Sequence, residues 1–121
     1  MRKYFLSLEG ELMTNKRYEL RYLPLFYEDL EEKILHIAEG LHNPQAANDL
    51  LDEVEGAILE RLPYAESFEP YHSTKERRYP YYRIYVKNYV IYYVVIDDES
   101  DNKIMEVRRI LHNKQKRNKW I

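Results

Sequence analysis

The sequence predicts an α+β domain: an N-terminal strand, an α-helical hairpin, then a three-stranded antiparallel meander. Three observations predict it. After Pro24, apolar residues recur at three- and four-residue steps, as one face of a helix requires. Asn43-Pro44 reopens the same period in a second segment that runs to Pro63. From Arg77 the composition changes to Tyr, Ile and Val in short runs separated by polar turns, the habit of strands.

The elements follow in order. Residues 18–23 (YELRYL) alternate in polarity and stop at Pro24, so they read as a short strand. Phe26, Leu30, Ile34, Ile37, Ala38 and Leu41 then share a helical face that ends near Gly40. Glu28, Asp29, Glu31 and Glu32 crowd its early turns, where the helix dipole favours anions. Asn43 offers a side-chain acceptor to an orphan amide, and Pro44 takes the first helical position, where a missing N–H loses nothing. Ala47, Leu50, Leu51, Val54, Ala57, Ile58 and Leu62 mark the apolar face of this second helix. Residues 63–74 show no period and read as a loop. Strands follow up to Val86, from Tyr89 to Ile96 and from Ile104 to His112, joined by Lys87-Asn88 and by the polar turn DDESDN. In the last of them Met105, Val107 and Leu111 alternate with Glu106 and Arg108. The helical hairpin must bury its stripe on one face of this sheet.

A chain of 121 residues, 45% hydrophobic and 14% aromatic, describes a single compact domain. Residues 18–121 are assigned to it, and residues 1–17 to an N-terminal extension; Met13 would make an ordinary start directly before the first strand, so the first twelve residues are expected to lie upstream of the natural one. The absence of cysteine excludes a disulfide framework, thiolate metal sites and a cysteine nucleophile, and makes the cytoplasm the expected compartment. The longest apolar run, Tyr89–Ile96, falls far short of the roughly 20 residues that span a bilayer, so no membrane contact is expected. The net charge of −2 divides into −8 over residues 18–62 and +4 over residues 63–121. Residues 108–119 hold six cations and no carboxylate, either a phosphate-binding or acid-binding surface or a solvated tail.

The order of elements, with NPQAANDLLDEVEGAI on the second helix, RIYVKNYVIYYVV across the hairpin and RRILHNKQ at the end, resembles the RelE/ParE toxins of bacterial type II toxin-antitoxin systems. The resemblance spans about residues 18–116. It implies a cytosolic toxin whose partner is a cognate antitoxin, and a target that is either the ribosome with its mRNA or DNA gyrase. The first alternative, taken here as the leading expectation, is a metal-independent mRNA endoribonuclease; the second is a non-catalytic gyrase inhibitor; a third is a degenerate member that retains antitoxin binding alone. No cofactor and no metal is expected.

For cleavage, a base must take the proton of a ribose 2′-hydroxyl, cations must stabilise the pentavalent phosphate, and an acid must protonate the leaving oxygen. The resemblance places His112 at the acid-base position, Glu69 at a general base before the hairpin, Arg83 at a phosphate-binding residue on the second strand of the family, and Lys114 at a transition-state cation. It places Lys87, Lys116, Arg117 and Trp120 in an RNA- or target-binding set. Each has a plainer alternative: His112 also closes the last strand of gyrase-type members, Glu69 suits a solvated loop, Arg83 suits a cross-strand ion pair, and Trp120 suits a hydrophobic latch. Val90 stands where the nuclease branch carries an arginine. That loss predicts slow cleavage, raised by Val90→Arg. The thirteen tyrosines are assigned to the sheet core and an antitoxin groove in preference to an RNA-stacking platform.

Overall fold

The computed structural model describes residues 18–71, 78–97 and 102–114. The elements are β1 (Tyr18–Tyr22), α1 (Pro24–Leu35), α2 (Pro44–Arg61), β2 (Tyr82–Val86), β3 (Tyr89–Ile96) and β4 (Lys103–His112). They form one four-stranded sheet in the order β1-β4-β3-β2, with β1 parallel to β4 and the other pairs antiparallel. The extension assigned to residues 1–17 lies outside the described residues.

The helical hairpin covers one face of the sheet. Phe26, Leu30, Val54 and Ile58 from the helices meet Ile91, Tyr93, Met105 and Ile110 from the central strands in one cluster. Side chains of this size contribute roughly 1.5–3 kcal/mol each when fully buried, so this layer supplies most of the driving force. The alternate residues of β3, Val90, Tyr92 and Val94, form a smaller cluster on the opposite face with Tyr81 and Leu111. Hence β3 is buried on both sides, as a central strand covered on both faces must be.

The second helix starts as its sequence predicts: the Asn43 carboxamide accepts a 3.1 Å hydrogen bond from the Ala46 N–H, with Pro44 in the first turn. Asn43→Ala is expected to lower stability by about 1 kcal/mol, read as a shift in the urea midpoint with unchanged slope.

Four details depart from the sequence reading. The first helix gives way at His36–Gly40 to a π-helical turn. Its first turn holds no carboxylate, and Asp29 binds a strand instead of answering the helix dipole. Residues 62–64 form a 3₁₀ turn and Tyr71 bridges to Tyr81, so part of the expected loop is ordered against the sheet. In β4 the pairing shifts between Tyr92, opposite Arg109, and Tyr93, opposite Val107. Arg108 is the extra residue of a bulge, so the alternation slips: Ile110 continues the face of Met105 and Val107, and Leu111 turns to the other side.

Candidate functional site

Where β4 ends, it is tied to the β2–β3 turn by the Asn113 N–H donating to the Asn88 carbonyl at 2.8 Å. His112 lies opposite Tyr89, its ring edge-on to the tyrosine with centroids 5.5 Å apart. Its Nδ1 accepts the Lys114 backbone N–H at 3.2 Å. An imidazole that accepts at Nδ1 carries its neutral-form proton on Nε2. Tyr89 belongs to the margin of the helix-side core, which places His112 on that rim. Lys114 is exposed beside it, and Lys87, in the turn with φ +53°, reaches Glu53 of α2 at 3.5 Å.

Arg83 sits elsewhere. Tyr82, Ile84 and Val86 face the helices, so Arg83 and Tyr85 project from the opposite face of β2. The Arg83 guanidinium lies 4.7 Å from the Tyr71 ring centroid and 5.7 Å from that of Tyr85. Its cross-strand neighbour is Tyr92, so no cross-strand ion pair forms. Three register positions, roughly 10 Å of strand, separate the Arg83 row from the Tyr89–His112 row. Tyr71 pairs with Tyr81, beyond the end of β2 remote from His112, and Glu69 precedes it, exposed. The structure thus brings His112, Lys114 and Lys87 to one end of the sheet and puts Arg83 on the other face, with Glu69 exposed in the segment that leads to Tyr71. Lys116, Arg117 and Trp120 lie outside the described residues.

Val90 is 1% exposed, placed by register between Tyr85 and Leu111. The expectation that Val90→Arg raises cleavage meets a packed site there. The basic block is also partly spent on the fold. Arg109 donates from Nε and Nη2 to Asp29 at 2.7 and 2.8 Å, and these bonds, more than burial opposes, push its pKa above the usual arginine value. Arg108 donates to Glu106 at 2.9 Å. Arg109 is therefore committed to the fold, and Arg108 gives part of its donor set to it.

A family model described as the ParE toxin of the type II toxin-antitoxin system, parDE, matches residues 20–117, well over half of the chain. The chain belongs to this family. It is a toxin of a type II toxin-antitoxin pair, and a cognate antitoxin is its partner. No curated protein matches it. No helix among the described residues of the toxin is long and apolar enough to cross a membrane, and those residues hold no group of three potential metal ligands.

The toxin has a second feature that the sequence does not announce. A groove of about 280 Å³ runs between the end of α2 and β2, lined by Ala57, Glu60, Arg61, Tyr64, Phe68 and Ile84. Arg61 organises it: its guanidinium stacks 3.5 Å from the Phe68 ring centroid and donates to the Arg83 carbonyl and the Tyr93 hydroxyl. That hydroxyl donates in turn to the Ala65 carbonyl at 2.6 Å, and burial holds the phenol pKa above its ordinary value despite the Arg61 contact. Sequence reasoning missed Phe68 because residues 63–74 have no period, and Arg61 because a cation in the last turn of a helix reads as a solvated side chain. It missed Glu106 as well, although a signal was present: Glu106 is the lone carboxylate of residues 102–119.

Proposed function

We propose that this toxin acts by stoichiometric binding to a protein target, DNA gyrase being the target that the family resemblance supplies, and not by cutting mRNA. The observation that carries the reading is the separation of Arg83 from His112 onto opposite faces of the sheet. In-line cleavage requires the proton-transfer group and the phosphate-binding cation to converge on one phosphodiester within hydrogen-bond reach. The buried Val90 removes a further cation from that chemistry. The chain's net charge of −2 supports the same reading, since affinity for an RNA backbone rests on cations that neutralise phosphates.

The test uses the purified toxin and its His112→Ala variant. Both are expected to inhibit gyrase supercoiling within about twofold of each other, and ribosome-bound messages from arrested cells are expected to stay intact by primer extension. Codon-positioned cuts that vanish with His112→Ala would restore the endoribonuclease reading and overturn this one. Addition of the antitoxin is expected to relieve inhibition and raise the melting temperature, because a ligand that binds the native state alone stabilises it.

A further inference from the structure

The sheet face turned away from the helices carries charges that its core does not require. Glu106 is buried there, 4% exposed, and guanidiniums take both carboxylate oxygens. Arg21 donates to Oε2 from Nε and Nη2 at 2.8 and 2.6 Å, and Arg108 donates to Oε1 from Nε at 2.9 Å. An arginine has five N–H donors, so each fork keeps donors beyond those that the carboxylate uses. Arg108 also hydrogen-bonds the buried Tyr81, but the Arg21 side chain is 50% exposed and that of Arg108 26%, so the donors left over open to solvent. The carboxylate fixes two forks in place ahead of any ligand and leaves the trio at +1, which lowers the ordering cost of binding an anion.

Across the same face, Arg83 lies over Tyr71 and Tyr85 and has no carboxylate partner among the described residues. Arg78 lies over Tyr79 in the same way. Among the described strand residues, register puts two carboxylates on this face, Glu19 and Glu106, against Arg21, Arg83 and Arg108. Arginine and tyrosine together are the residues that dominate protein interfaces. Guanidiniums lie over the rings of Tyr71 and Tyr79, both half-buried, and Tyr85 is the one of these three rings widely open to solvent, which is less than the run of open rings that stacks successive bases.

We infer that this outer face docks an extended, acidic segment of a partner protein, with Arg21 and Arg108 receiving one of its carboxylates and Arg83 another. The inference rests on the proposal that the toxin works by binding. β1 and β2 are the two edge strands of the sheet. Three strand spacings and a two-residue register offset put Arg21 and Arg83 roughly 15 Å apart, a span that four or five residues of extended chain cover. The segment therefore carries acids about four residues apart, on one side of an extended strand.

The probe is a synthetic nine-residue peptide of Thr and Val with glutamates four positions apart, titrated into the full chain and followed by fluorescence anisotropy. Its glutamine counterpart and decauridylate are the comparisons. The glutamate peptide is expected to bind at least tenfold tighter than the glutamine one. Arg83→Gln and Arg21→Gln are each expected to weaken it about fivefold; Arg83→Gln should melt near the wild type, whereas Arg21→Gln, which takes two hydrogen bonds from the buried Glu106, should melt lower. Arg83→Gln is the decisive variant, since no carboxylate of the fold depends on it. Equal affinity for the two peptides, or full affinity in both variants, would overturn the inference. So would tighter binding of decauridylate that the same substitutions weaken, which would make the face a nucleic-acid surface. Supercoiling is read separately: inhibition without peptide binding sinks the docking inference alone, and peptide binding without inhibition sinks the proposed target alone.

Discussion

Asp29→Ala is expected to remove about 3–5 kcal/mol of stability, the cost of breaking a nearly buried ion pair from one side. The side chains of Arg109 and Asp29 are 14% and 11% exposed, so solvent screens the pair little. Asp29 also does the work of a missing strand. β1 pairs with β4 as far as Tyr22 opposite Val107, and the Leu23 N–H still reaches the Val107 carbonyl at 3.0 Å. Past that point no strand among the described residues pairs with this edge of β4, and the Ile110 N–H donates to Asp29 Oδ2 at 3.1 Å. Alanine would strand a guanidinium and an amide together. Asp29→Asn keeps an acceptor for Ile110 and is expected to lose about half as much. Urea unfolding measures both, and Asp29→Ala combined with Arg109→Met should lose less than the sum of the two single changes, since the second removes the orphaned charge. A loss under about 1 kcal/mol in Asp29→Ala would show that the pair is not a keystone of the fold.

Val90→Arg is expected to unfold the toxin rather than to make it a better nuclease. At 1% exposure the site has no room for a solvated guanidinium, and its neighbours in the outer cluster, Tyr81, Tyr92, Val94 and Leu111, contain no carboxylate. An unpaired buried charge costs several kcal/mol, a large share of the 5–15 kcal/mol that holds a typical domain. Circular dichroism and the melting temperature should show the loss directly, and gyrase inhibition should fall with the folded fraction. A variant that melts like the wild type and cuts messages at codon positions would show that this face opens to accept RNA.

Local physics made much of this protein readable in its sequence. The α2 start followed from Asn43 and Pro44, because a cap is settled by residues within four positions of each other. The strand–hairpin–meander order followed from period and composition alone, and the family resemblance from motifs that lie in consecutive residues. The tertiary structure decided what no local pattern carries. The pairing of β1 with β4 joins residues about 85 apart, such as Tyr18 and Lys103, and fixes which carboxylate Arg21 meets. The bulge at Arg108 reverses the side on which Leu111 falls, because one extra residue in a strand of period two exchanges its faces. Asp29 and Glu106 look like surface carboxylates in the sequence, and only folding brings Arg109 to the one and two guanidiniums to the other. The same limit governs the site: the motif that names His112 and Arg83 is a list of positions, while the faces on which they stand depend on alternation counted through every strand between them.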